Sequence, residues 1–236
     1  MDKAQRERLY YGNWEYDDDP NALCAYEDIL AIFQNDHAFN QNERSYITCD
    51  PARKGKDKAV ILLWIGWTVI QYKEYDKCTT TLIQDLVNNW RKDKGIPKNR
   101  CVADEDGLGG GVVDNCGIKG FVNNATAIDT RTKTEKIHNV APPNYNNLQS
   151  QCGFLLAQKI NSGELYIKCK LPQDVQDRVV EELEQLKEHD ADKIGKKKLL
   201  PKDIIKDNIG RSPDWRDALL MRAFFDLGKK FSAVYV

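Results

Sequence analysis

The sequence predicts a mixed α/β fold, a five-stranded core sheet flanked by helices, with a C-terminal extension. Three observations carry that expectation. Short β-branched and aromatic runs crowd the region from residue 45 to residue 72. Two later runs alternate with stretches of helical periodicity, as in sheets whose strands are joined by helical crossovers. The last third of the chain is helical in pattern and closes on GRSPDWRDALLMRAFF. With 236 residues, the chain suits one large domain.

Taken in order, the first forty residues contain RERLYYGNWEYDDDPNALCAYEDILAIF, where DDDP separates an aromatic-rich start from a helix expected over residues 22–33. Residues 1–40 are read as a lead-in arm or linker packed on the main domain, which spans 41–228 and leaves 229–236 as a tail. Strands are expected at 45–49 (SYITC), 59–64 (AVILLW) and 68–72 (TVIQY), close enough together for an antiparallel meander. Leu82, Leu86 and Trp90 then recur at helical spacing in a helix that closes at Gly95. A fourth strand at 100–103 (RCVA) runs into DEDGLGGGVVDNCG, with a small helix over 110–115, and a fifth is expected at 120–124 (GFVNN). The glycine cluster is read as a sharp strand-to-helix turn. A long helix covers 146–162, followed by LYIK and by a helix that aligns Val175, Val179, Leu183 and Leu186 on one side. After a lysine-rich turn comes the last helix, beginning at Pro213 with Ser212 as its expected cap, and apolar through Trp215, Leu219 and Phe224. This order matches the ribonuclease H-like arrangement, in which the first and fourth strands are neighbours.

Composition narrows function. Thirty-five basic residues against 36 acidic ones give a net charge of −1, so a polyanion partner would have to be met by local patches. Three exist: Arg53, Lys54, Lys56 and Lys58; Arg131, Lys133 and Lys136; and Lys193 with Lys196, Lys197 and Lys198. Each alone also describes a solvated loop. The seven cysteines are odd in number and form no CxxC pair, which predicts free thiols in a reducing compartment and no zinc site. With no secretory segment and no bilayer-length apolar run, a soluble, intracellular protein with no membrane partner is expected. The GxxxxGK[ST] phosphate loop is missing, so this chain is not expected to hydrolyse ATP. His37, His138 and His189 are scattered and receive no role, and Trp64 and Trp67 are assigned to the sheet core.

Chemistry is expected at strand ends, where side chains leave the core on a rigid base. Asp50 follows the first strand in ITCDPARKGKD, and Asp104 follows the fourth in CVADEDGLGGG. Asp217 lies a full turn inside the apolar last helix, where an unpaired carboxylate is costly. If that helix crosses the same sheet edge, Asp50, Asp104 and Asp217 meet. Three such carboxylates repel one another unless a cation joins them. All-oxygen ligation favours Mg²⁺ or Mn²⁺. Two ions about 3.5–4 Å apart would activate a water and stabilise the leaving oxygen of a phosphodiester. Asp57, Asp106 and Asp214 are further candidates for the second ion.

The ordered set YGNWEYDD, YITCDPARKGKDKAVILLW, VADEDGLGGGVVD, NNLQSQCGFLLAQKINSGEL and GRSPDWRDALLM resembles the nuclease domain of tailed-phage large terminase subunits, from about Arg6 to Phe225. The resemblance implies a metal-dependent endonuclease that cuts concatemeric double-stranded viral DNA during genome packaging, with Asp50, Asp104 and Asp217 as the metal-binding catalytic acids. Asp214 is then a helix cap or outer acid, since related proteins can carry a non-acid there, and Arg216 a partner for a carboxylate or a DNA phosphate. Arg53, Lys54, Lys56, Lys133, Lys136 and Lys197 are the expected DNA contacts. Large terminases normally join a P-loop motor to this nuclease, so the chain is read as one domain of a longer protein. Its implied partners are that ATPase domain, the small terminase subunit and the portal, in the cytoplasm of an infected bacterium. Two other readings stand beside it: another ribonuclease H-like phosphoryl transferase, such as a transposase or junction resolvase, and a non-catalytic DNA clamp or motor-docking module. The former lack YGNW and SPDWRDAL as a pair; in the latter the acids serve folding alone.

Overall fold

The run AVILLWI contains no polar residue, which suits only a strand covered on both faces. In a computed structural model, which describes residues 19–52, 57–106, 109–191 and 195–227, this run forms the strand β2 (Ala59–Ile65), buried from Ala59 through Trp64. It pairs antiparallel with β1 (Ser45–Asp50) on one side and with β3 (Thr68–Tyr75) on the other. The turn between β2 and β3 passes through Gly66 at φ +58, a left-handed conformation that favours glycine. β4 (Cys101–Asp104) joins β1 in parallel, and β5 (Lys119–Phe121) joins β4 in parallel.

A further strand, β6 (Tyr166–Ile167), pairs in parallel with β3, so the sheet runs β5-β4-β1-β2-β3-β6 and has six strands where five were expected. Two residues are too few to show an alternation. β6 is held instead by distant partners, with Ile167 N–H donating to Ile32 O at 2.8 Å and Lys168 N–H to Val69 O at 3.0 Å.

The helices among the described residues are α1 (Tyr26–Ala31), α2 (Thr80–Asp93), α3 (Gly110–Cys116), α4 (Lys133–Ile137), α5 (Leu148–Asn161), α6 (Gln173–Leu183), α7 (Lys202–Ile209) and α8 (Asp214–Leu220). Two of these were not expected. α4 carries a full capping box between Thr132 and Glu135, a TxxE signal visible in the sequence. α7 sits between the lysine-rich stretch and α8; only Ile205 and Ile209 are buried on it, a stripe too narrow to stand out. Of the expected arm, residues 1–18 lie outside the described residues, while Ile29 and Ile32 are buried in the core.

Alternation along β2 divides the interior. Ile61 and Leu63 pack with Ile83 and Val87 of α2 and Val112 of α3. Val60, Leu62 and Trp64 point into the larger core, built with α1, α5, α6 and α8. Each fully buried Leu, Ile or Val there contributes about 1.5–3 kcal/mol relative to exposure. α8 lies across β1 and β2 on this face, with Trp215, Ala218 and Leu219 buried. It is therefore clamped from below by the sheet and from the side by α5 and α6. No described helix is long and apolar enough to cross a membrane.

Candidate active site

Parallel pairing of β1 with β4 sets Cys49 opposite Ala103, so the next residue of each strand, Asp50 and Asp104, stands at the same sheet edge. α8 crosses that edge and brings Asp214 and Asp217. These four acids, with Asp57 and Asp106, line one cavity of about 620 Å³. The six acids singled out in the sequence thus share a single pocket.

Their surroundings differ. Asp217 is fixed on both oxygens: Oδ1 accepts from Arg216 Nε at 3.0 Å and Nη2 at 2.6 Å, and Oδ2 accepts from Lys202 Nζ at 2.9 Å. Arg216 is 1% exposed, so it serves a carboxylate and is not placed to meet a DNA phosphate. Asp214 Oδ2 accepts from the Lys58 backbone N–H at 2.7 Å. Asp104 accepts from the Asp106 backbone at 2.9 Å and from Asn123 Nδ2 at 3.2 Å, and Asp106 accepts from Asn123 Nδ2 at 2.8 Å. Asp57 Oδ1 accepts from Ser212 Oγ at 2.6 Å. The Asp50 carboxylate, 8% exposed, has no hydrogen-bond partner among the described residues.

Ser212 is thus not the helix cap that sequence spacing suggested. The free N–H groups of Trp215 and Arg216 donate instead to Glu182 Oε2 on α6, at 2.8 and 3.1 Å. A buried carboxylate from another helix anchors the start of α8 and with it the two acids that α8 carries.

Burial, and then the charge of Asp217, push the Asp50 carboxyl well above the usual carboxylate range. Burial also raises Asp104, and raises Asp214 to about 7. Burial would raise Asp217 too, yet Arg216 and Lys202 hold it below its ordinary value. One ionised carboxylate, Asp217, beside three that are driven toward neutrality is the pattern expected where cationic charge falls short. No three Asp, Glu, His or Cys side chains among the described residues already stand as a closed ligand set. A divalent ion nonetheless suits the pocket chemically, because a buried carboxylate with no hydrogen-bond partner among the described residues, crowded by Asp217 and Asp214, gains what it lacks from a hard cation.

The expected DNA contacts are dispersed. Arg53, Lys54 and Lys56 lie outside the described residues. Lys133 is exposed on α4, and Lys136 pairs with Asp129 at 3.0 Å. Lys197 stands over the Phe154 ring, 5.1 Å from its centroid, beside a different cavity. Among the described residues, the lysines that line the acidic cavity are Lys198 and Lys202. Sequence reasoning passed over Lys202, since nothing near it points to Asp217. It also passed over Glu182, although a signal existed: an acid three residues after Val179, on the same buried face as Val175 and Leu183.

A mixed sheet whose parallel neighbours β1 and β4 end in acids, crossed by a helix that adds two more, is a ribonuclease H-like fold. Among solved structures, the nuclease domain of the large terminase subunit gp2 of bacterial virus Sf6 is similar over 86% of this chain and 98% of its own, with TM-score 0.69 at 17% identity. A variant of that domain solved with manganese and beta-thujaplicinol gives TM-score 0.70 at 16% identity over the same shares. The large terminase nuclease from thermophilic phage G20c covers 86% of this chain and 97% of its own, with TM-score 0.52 at 13% identity. At these identities the likeness is one of fold. No protein-family model and no curated protein matches the chain.

Proposed function

We propose that the chain is the metal-dependent endonuclease domain of a phage DNA-packaging large terminase subunit, hydrolysing phosphodiester bonds of double-stranded concatemeric DNA. The observation that carries the reading is the Asp50 carboxylate, buried without a hydrogen-bond partner among the described residues at the edge where Asp104, Asp214 and Asp217 also stand. The fold shared with phage terminase nuclease domains supports it, as does the manganese named with one of them. Asp50, Asp104 and Asp217 would hold a divalent ion, Mg²⁺ or Mn²⁺, with Asp57, Asp106 and Asp214 available to a second. Bound there, such ions supply an activated water and stabilise negative charge on the leaving oxygen.

The chain's own residues prepare the pocket. Arg216 fixes the rotamer and charge of Asp217 from the protein side. Lys202 adds a positive charge on the cavity side, where a phosphate approaching six acids needs one. Glu182 holds the helix start from which Asp214 and Asp217 project. The ATPase domain, small terminase subunit and portal are the partners proposed for it, in the cytoplasm of an infected bacterium.

The test is a plasmid digestion with Mn²⁺, Mg²⁺ and chelator in parallel, on wild type and Asp50→Asn. Cleavage by wild type with metal alone, lost in Asp50→Asn while DNA binding persists, is the expected result. Unchanged cleavage by Asp50→Asn would overturn the assignment. A wild type that binds duplex and never cuts would leave a DNA clamp.

A further inference from the structure

The acids occupy only part of the cavity; much of the remaining lining is amide. Asn123, Asn124, Asn146, Asn147 and Gln149 come from the connection between β5 and α5 and from the first turn of α5. Lys198 comes from the segment that crosses the start of that helix. The backbone here is sewn tightly. Asn146 N–H donates to Lys197 O at 2.9 Å, Lys197 N–H to Asn144 O at 2.9 Å, and Leu199 N–H to Ser150 Oγ at 3.2 Å. Gln149 N–H donates to Asn123 O at 3.2 Å.

Internal partners use up some of these amides and leave others. Asn123 serves Asp104 and Asp106. Asn147 caps α5 through Ser150 N–H at 2.8 Å and donates to Asn124 Oδ1 at 3.1 Å. The side-chain amides of Asn146 and Gln149 have no partner among the described residues. Lys198 Nζ lies 4.0 Å from Asp190, too far for a hydrogen bond. Two amides without a partner among the described residues and a loosely held ammonium therefore line the cavity that also carries the six carboxylates.

An acidic pocket repels a polyanion along its whole length, not just at the bond to be cut. Neutral donors answer that problem, because Asn and Gln side chains bind phosphate oxygens without cancelling the acids that a metal needs. We propose that Asn146, Gln149 and Lys198 form a phosphate-binding subsite that holds the DNA backbone beside the bond being cleaved. It rests on the nuclease reading and adds a positioning role that contacts the sugar–phosphate chain and reads no base.

The test uses the full chain and two fluorescent duplexes of equal length and unrelated sequence. Anisotropy is measured in chelator across a salt series, and cleavage of the same duplexes is measured with Mn²⁺. The Asn146→Ala, Gln149→Ala double variant should weaken binding about tenfold on both duplexes and raise KM more than it lowers kcat. Asn146→Asp with Gln149→Glu, nearly identical in size, should weaken it further by repulsion. Lys198→Ala should reduce the slope of log K against log salt by about one. Wild-type affinity, KM and salt slope in all three variants would overturn the subsite, as would an effect confined to one duplex, which signals base reading. If wild type binds but does not cut while the variants still bind weakly, the nuclease reading fails and the phosphate subsite stands.

Discussion

Asp50 shows how far a single side chain can be read from its neighbours. Its place at the end of the first strand made it a candidate in the sequence, because strand ends release side chains from the core on a rigid base. What no local pattern supplied was its electrostatic state, which depends on Asp217 and Asp214, residues that only the fold brings near. Lys202 was illegible for the same reason: its meaning is its contact with Asp217 across a turn of chain. Burial and like charge resist ionisation of Asp50, so a cation that relieves them also stabilises the fold. Saturating Mn²⁺ should raise the melting temperature of wild type, by roughly 2–4 °C for each kcal/mol of linkage. Asp50→Asn should melt at or above the metal-free wild type and lose most of that response, and scanning calorimetry with and without chelator reads both.

At the scale of elements, α8 depends on α6. Glu182 replaces the expected Ser212 cap, and burial pushes its carboxyl up to about 8 from an ordinary 4.5. A group whose value is raised by folding stabilises the fold while it is neutral. That contribution is complete below about 4.5 and is lost as pH rises through about 8. Stability to urea should therefore fall between pH 5 and pH 8. Glu182→Gln, which keeps an acceptor for Trp215 and Arg216, should flatten the fall, whereas Glu182→Ala should cost about 1–3 kcal/mol at pH 5 by leaving two N–H groups unpaired. A second joint lies at α5, where a Cβ on Gly153 would stand 2.3 Å from Leu199 Cδ1. Gly153→Ala should destabilise by about 1–3 kcal/mol, and less than additively when combined with Leu199→Ala. Long periodic elements such as α2 and α5 were legible because their stripes are wide. β6, α4 and α7 were not, being short and held mainly by capping, distant hydrogen bonds and a pair of isoleucines.

For the molecule as a whole, the β1–β4 neighbourhood was legible, because it belongs to the ribonuclease H-like arrangement that the order of elements matches, whereas the sixth strand beside β3 was not. The basic clusters were less so. Linear runs of lysine say nothing about direction, and Lys197 and Lys198, adjacent in sequence, line different cavities. With a net charge of −1, any attraction to DNA is local and should be screened readily. Duplex affinity is expected to fall steeply between about 50 and 200 mM salt, and a flat response in a filter-binding series would remove DNA as the ligand of this face. The placement of α8 has one more consequence. Asp50 and Asp104 belong to the first half of the chain, whereas Asp214 and Asp217 arrive more than a hundred residues later. The six strands of the sheet all precede α8 in the chain, so the element that completes the pocket is also the last to be reached along the sequence. Completion of the pocket therefore waits on the docking of α8, however much of the sheet has formed before it.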